Sequence, residues 1–214
     1  MKVFATMRFI CLTIIAMCVG QSVFAQDLKV VDKLLKVVPG DGAKAYLTFC
    51  SEAGLIGHAF IAISIEDPTS KTCTLVEAIG LHPEGSKKNL KSARFAKAKG
   101  GLLSDLQKGA FENKGIVARF TVPLTSEEWD IMKIKIGAHA GSGYQLFEKD
   151  CVTFCEETAK VLELQVPDRQ KLFADLKQRI IDGWKAQGRD AAAIQNYEGF
   201  PAVYIQELGR LNGK

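Results

Sequence analysis

Short apolar runs of strand-like length dominate the first half of the chain. Turn sequences separate these runs, and Asp67-Pro68-Thr69-Ser70 stands between two of them in the manner of a hairpin loop. The runs that predict strands cover residues 45–50, 58–65, 72–79 and 115–122. Residues 27–38 fit either a short amphipathic helix or an entry strand.

The second half has apolar residues at helical spacing. Thr125-Ser126-Glu127-Glu128 has the S/T-x-x-E arrangement that caps a helix N-terminus. The predicted helices cover residues 125–139, 151–164, 169–187 and 202–211, and Pro167 is the expected stop signal of the second. Because strands precede helices along the chain, we expect an α+β fold in which a small antiparallel sheet packs against helices.

The first 25 residues have the features of a secretory signal. Lys2 and Arg8 accompany an apolar run that is too short to span a bilayer, and Ala25 ends a small-x-small cleavage pattern. We therefore expect cleavage near Ala25 and one mature domain over residues 26–214, located in a bacterial periplasm or secreted. A retained N-terminal anchor is the alternative. No later run approaches the length of a transmembrane helix.

Net charge argues against a nucleic-acid partner. The chain carries a formal charge of +4, and removing Lys2 and Arg8 with the signal leaves +2. That excess is too mild to imply binding to nucleic acid. Between residues 85 and 104 the chain is basic without acidic residues, which fits either a surface for an anionic ligand or a solvated loop.

Four cysteines remain in the expected mature chain: Cys50, Cys73, Cys151 and Cys155. Cys50 and Cys73 flank the histidine strand and could bridge in an exported compartment. Cys151 and Cys155 are four apart on one predicted helix, where Cβ atoms lie about 5–6 Å apart, beyond the roughly 3.8 Å of a relaxed disulfide. We therefore expect a free thiol at Cys151. The chain has no C-x2-C pair and its histidines are scattered, so no metal or organic cofactor is expected.

Two distant segments carry the candidate chemistry. His58 opens an apolar strand, and Cys151 stands at the start of a predicted helix. A helix N-terminus and a nearby imidazolium both favour the thiolate that makes cysteine a nucleophile. His58 would accept the thiol proton and later donate it to the leaving group. The backbone N–H of Cys151 would help to bind the developing oxyanion.

A third polar side chain should orient the imidazole. Glu77 is the first choice, because it lies on the returning strand of the hairpin that begins at His58. His82 is the rival a few residues further on, and Asp150 is a weaker candidate because a helix cap already accounts for it. Taken singly, Cys151 and His58 could equally be core residues, and Glu77 could face solvent.

The segments taken together resemble the permuted NlpC-type members of the papain-like superfamily. The likeness lies in GHAFIAI, LVEAIGLHP and YQLFEKDCVTFCEETAKVLEL. This group includes the lecithin:retinol acyltransferase-like enzymes, and its strand histidine precedes its helix cysteine. The resemblance implies a permuted papain-like fold with His58, Glu77 and Cys151 in the catalytic positions. Asp150 stands where asparagine is common in the permuted bacterial members.

The resemblance and the expected export together imply a cysteine amidase or peptidase. It would act through an acyl-enzyme, with amides of cell-wall peptides as substrates. A lipid-directed acyltransferase or hydrolase of the same fold is one alternative. A non-catalytic binding protein is another, because a fold alone does not fix a function.

Overall fold

A five-stranded antiparallel sheet is the frame of the molecule. In this computed structural model the described residues are 29–53, 57–83, 100–105, 115–186 and 199–213. The strands are β1 (Lys44–Glu52), β2 (His58–Glu66), β3 (Cys73–Pro83), β4 (Gly100–Ser104) and β5 (Ile116–Leu124). They lie in the order β4-β3-β2-β1-β5, and every neighbouring pair is antiparallel.

Five helices accompany the sheet in the described part of the chain. They are α1 (residues 29–36), α2 (Ser126–Gly137), α3 (Cys151–Val161), α4 (Arg169–Ala186) and α5 (Phe200–Asn212). The predicted α+β class, with an antiparallel sheet beside helices, is therefore confirmed. None of these helices combines the length and the apolar character that a bilayer crossing requires, as far as the described residues extend.

The start of α2 follows the predicted signal, and the choice left open for residues 27–38 is answered over residues 29–36. The N–H of Glu128 donates to Thr125 Oγ1 at 3.2 Å, and the N–H of Thr125 donates to Glu128 Oε2 at 2.7 Å, so the predicted capping box is formed at α2. Residues 29–36 are helical rather than a strand. Val30 and Leu34, four apart on α1, are buried in the core, which explains why the helical alternative is the correct one.

The end of α3 differs from the prediction. The helix stops at Val161, well before Pro167. Glu163 takes a left-handed φ of 53°, and the N–H of Leu164 donates back to the carbonyl of Ala159 at 3.1 Å. A left-handed residue just after the last turn therefore ends this helix, and the proline lies in the connection that follows.

Strand β4 was not predicted. It pairs with β3 from Ile79 opposite Ser104 to Pro83 opposite Gly100. Two glycines in five residues leave almost no strand signal in its sequence. The described residues omit 84–99 and 106–114 around this strand. Most of the basic segment at residues 85–104 therefore lies outside them.

The sheet and the helices enclose one large apolar cluster. Its largest fully buried side chains include Phe49, Ile61, Phe154, Phe200 and Tyr204. Truncating any one of these side chains to alanine would lower the free energy of unfolding by about 2–5 kcal/mol. The helix that begins at Cys151 is thereby held firmly against the sheet.

All four described cysteines are free thiols. In the sheet Cys50 lies opposite Phe60, whereas Cys73 lies opposite Glu66. Six positions along β2 correspond to roughly 20 Å, far beyond the Cα separation of about 7 Å that a disulfide tolerates. The suggested Cys50–Cys73 bridge is therefore wrong, and a free thiol at Cys151 agrees with the prediction.

Thr125→Ala tests the capping box. The substitution removes the acceptor of the Glu128 N–H, so we expect the free energy of unfolding to fall by about 1 kcal/mol. Denaturant unfolding followed by circular dichroism measures this change. Ser126→Ala, one position inside the helix, is the control and should cost less than about 0.5 kcal/mol. Equal losses in the two variants would contradict the capping role.

Candidate active site

The register of the β2–β3 hairpin brings two histidines together. Ile61 pairs with Ile79, and His58 and His82 each lie three positions beyond that pair on their own strands. Their ring centroids are 4.0 Å apart. The contact is a direct result of strand pairing, because residues opposite each other in an antiparallel ladder have neighbouring side chains.

Asp105 connects the two histidines. It directly follows β4, where its backbone N–H donates to the carbonyl of Ala78 at 2.8 Å. Its carboxylate is buried, with 1% of the residue exposed. Oδ1 lies 2.8 Å from His82 Nε2, and Oδ2 lies 3.4 Å from His58 Nε2. One buried carboxylate is thus shared between two imidazoles.

Gly80 provides the space in which this group assembles. A Cβ atom at position 80 would lie 2.4 Å from His58 Nε2 and 2.5 Å from Asp105 Oδ2. Both distances are far below van der Waals contact. Any side chain larger than hydrogen at this position on β3 would push the imidazole and the carboxylate apart.

Cys151 lies on the other side of the His58 ring. It is the first residue of α3 and is 2% exposed. Its thiol is close enough to the imidazole of His58 for the two groups to interact by hydrogen bonding and charge. Because Nε2 of His58 faces Asp105, Nδ1 is the ring nitrogen left for the sulfur. The three side chains therefore lie in a row, in the order Cys151, His58 and Asp105.

The charges in this row stabilise one another. Burial alone would lower the pKa of His58, but the hydrogen bonds and charges of Asp105 and Cys151 outweigh it and raise the pKa to about 10. Burial also disfavours the charged form of Asp105, yet His58 and His82 together hold the pKa of its carboxyl well below the usual range. This environment favours the imidazolium form of His58.

Tyr144 adds a hydroxyl beside the sulfur. The residue is buried, and its hydroxyl lies 4.0 Å from Cys151 Sγ. The backbone N–H of Cys151 also bonds the tyrosine oxygen. Burial is the main cause that raises the pKa of Tyr144 far above its ordinary value, so its proton stays in place as a hydrogen-bond donor. The amide N–H of Cys151 and the phenol O–H of Tyr144 therefore both lie next to the thiol.

Asp150 fixes the start of α3. Its side chain accepts from the N–H of Thr153 at 2.9 Å and from the N–H of Phe147 at 2.8 Å. Arg169 of α4 donates to its second oxygen at 2.5 Å. The carboxylate is fully buried, and the arginine compensates its charge. This ion pair accounts for an acid at this position, and it leaves Asp150 as a cap rather than the orienting residue.

The structure does not place Glu77 beside His58. Glu77 lies opposite Ile63, five positions along β2 from the histidine, and on the other face of β3 from His82. Its buried carboxylate accepts from Ser104 Oγ at 2.6 Å and from Lys33 Nζ at 2.6 Å. These contacts join β4 and α1 to β3, so the orienting position beside His58 belongs to Asp105.

His82, the rival candidate, lies in the site, and its ring packs against that of His58. Its Nε2 is hydrogen-bonded to Asp105. Asp105, Tyr144 and Gly80 had no signal in the sequence that marked them out. Asp105 ends a short glycine-rich apolar segment, and only the pairing of β4 with β3 brings it to the histidines.

Comparisons with protein-family models, with curated proteins and with solved structures give no match to this chain.

Gly80→Ala tests the packing of the site. The methyl group would separate His58 from Asp105, so we expect iodoacetamide to alkylate Cys151 at least about 10-fold more slowly. Overpacking should also lower the free energy of unfolding by about 1–3 kcal/mol. Gly40→Ala, where no atom lies within 4 Å of the added Cβ, is the matched control. Unchanged alkylation in a folded Gly80→Ala variant would contradict the proposed geometry.

Arg169→Met tests the buried ion pair. Removing the guanidinium leaves the Asp150 carboxylate buried without its cation, and we expect a loss of about 3 kcal/mol in the free energy of unfolding. Lys177→Met on the exposed side of the same helix should change it by less than about 0.5 kcal/mol. Adding Asp150→Asn to Arg169→Met should recover part of the loss, and no recovery would argue against the pairing.

Proposed function

We propose that this protein is an exported cysteine amidase or peptidase that works through an acyl-enzyme. The observation that carries the proposal is the row Cys151, His58, Asp105, assembled at the N-terminus of α3. A nucleophile that contacts a base, and a base that contacts a buried carboxylate, is the recurring arrangement of nucleophilic hydrolases.

The first half of the reaction forms a thioester. Cys151 Sγ attacks the carbonyl carbon of the substrate, and the thiol proton is held on His58. The backbone N–H of Cys151 leaves the tyrosine oxygen and, together with the O–H of Tyr144, donates to the negative oxygen of the tetrahedral intermediate. His58 then gives its proton to the leaving amine, the C–N bond breaks, and the acyl group remains on sulfur.

The second half releases the acid. Water attacks the thioester carbonyl while His58 takes a proton from it, and the C–S bond then breaks with its electron pair on sulfur, which restores the starting state with the proton on His58. Asp105 keeps the His58 ring oriented and stabilises its positive charge during both halves. It stays ionised throughout, because two imidazoles share its carboxylate.

The proposed substrate is an amide in a cell-wall peptide. This choice depends on the signal-like N-terminal segment, since export would bring the enzyme to the wall. A lipid ester or amide would use the same residues and differ only in the acyl group and its acceptor. The binding-protein alternative predicts no turnover of either class.

Turnover on two substrate classes tests the proposal. The full chain is incubated with purified cell wall and, in parallel, with phospholipid vesicles, and the products are identified by mass spectrometry. We expect new amino termini from the wall with the wild type and with Cys73→Ala, and none with Cys151→Ala. Products from vesicles alone would assign the lipid alternative. Products from neither substrate, together with an unreactive Cys151, would favour the binding protein.

A pair of acid-to-amide substitutions separates the two candidate orienting residues. We expect Asp105→Asn to slow alkylation of Cys151 by at least about 10-fold, because the imidazolium loses its carboxylate. Glu77→Gln should leave that rate within about twofold, since the residue lies away from His58 and rate effects of this kind need contact with the base. Both variants are checked for folding by circular dichroism. If Glu77→Gln slowed alkylation and Asp105→Asn did not, the role of orienting His58 would belong to Glu77.

A further inference from the structure

We propose that His58, His82 and Asp105 form a binding site for a divalent transition-metal ion of the zinc class. We further propose that metal bound there switches off the cysteine chemistry. The binding site is independent of the proposed enzymatic function, whereas the inhibition depends on it.

The spacing of the donor atoms fits a metal site. Each of the three residues offers one ligand atom, and these atoms all lie within 4.8 Å of one another. Ligands at about 2.0–2.1 Å in tetrahedral geometry are roughly 3.3 Å apart. The observed separations from the Asp105 oxygens are 3.4 Å to His58 Nε2 and 2.8 Å to His82 Nε2. Small side-chain rotations are enough to bring the three atoms around one ion.

The donor chemistry selects the type of metal. Two imidazole nitrogens and one carboxylate oxygen suit zinc and its neighbours in the transition series, whereas calcium and magnesium prefer sites built from oxygen alone. The carboxylate of Asp105 is buried, and each of its oxygens has an imidazole partner. Three protein ligands leave a fourth position for water.

The two histidines of the site are partly exposed to solvent. The side chains of His58 and His82 are 13% and 15% exposed, while that of Asp105 is 1% exposed. The imidazole edges are therefore accessible and the carboxylate lies beneath them. Gly80 leaves the space between His58 Nε2 and Asp105 Oδ2 free of a side chain.

Metal binding and general-base catalysis exclude each other at His58. A neutral imidazole that ligates through Nε2 carries its proton on Nδ1, the nitrogen that faces Cys151. That ring can donate to the sulfur but cannot accept a proton from the thiol or from water. The ion also withdraws Asp105 from its orienting role. Cys151 does not belong to the cluster of ligand atoms found among the described residues, so the ion would be held without it.

Cobalt binding tests the site directly. Full-length protein freed of metal by chelation is titrated with Co²⁺ alone, and visible absorption is recorded. We expect one ion per chain with the spectrum of nitrogen and oxygen ligands and without a thiolate charge-transfer band. His82→Gln should weaken binding by at least about 10-fold. Cys151→Ser should bind as the wild type does. Absent binding, equal binding by His82→Gln, or loss of binding in Cys151→Ser would overturn the site.

Zinc inhibition tests the switch. The alkylation rate of Cys151 is measured with and without Zn²⁺, and the ratio of the two rates is compared between proteins. We expect Zn²⁺ to slow the wild type at least about 10-fold and to change the ratio far less in His82→Gln. Cobalt binding by a protein whose Cys151 is unreactive would uphold the site and reject the enzymatic function. A reactive Cys151 that Zn²⁺ does not slow would reject the switch alone.

Discussion

The buried carboxylate of Asp105 is the constraint on which the site depends. A buried charge without partners costs several kcal/mol, so donors must lie within reach. The pairing of β2 with β3 supplies them by placing His58 opposite His82 at the ends of both strands. The pairing of β4 with β3 then carries Asp105 to the two rings. Gly80 has no side chain and so leaves the space that this arrangement requires.

Three buried acids have three different roles in this molecule. Asp105 holds imidazoles, Asp150 holds the start of α3 and the guanidinium of Arg169, and Glu77 joins α1 and β4 to β3. In each case the burial of the charge is compensated by side chains from a different element. These contacts hold β4 to the two histidine strands, α1 and β4 to β3, and α4 to the start of α3, whereas the packing of α3 on β2 is hydrophobic.

Much of the frame could be predicted from local sequence patterns. The apolar run after Gly57, the capping box at Thr125 and the helix start at Cys151 are local signals, and each describes an element found in the structure. Those same signals identified His58 and Cys151, because a histidine that opens a strand and a cysteine that opens a helix are visible in short stretches of sequence.

The partner of His58 could not be found in this way. The sequence favours Glu77 because it lies on the next strand, but the register places His82 opposite the histidine, and the alternation of side chains turns Glu77 to the other face. Asp105 belongs to a strand with two glycines, whose pairing is set by β3 rather than by its own sequence. Tyr144 reaches the thiol through the turn before α3, and a turn of that kind has no periodic pattern.

The protonation of His58 tests the central claim most directly. The chain has only three histidines, so their imidazole resonances can be assigned by single substitutions and followed by NMR in chelator-treated protein. We expect His58 to remain an imidazolium through neutral pH and to titrate with a pKa of about 10. We also expect Asp105→Asn to lower this pKa. A His58 that titrates at or below the ordinary value of about 6.5, as an isolated buried imidazole would, would contradict the Cys151, His58, Asp105 row.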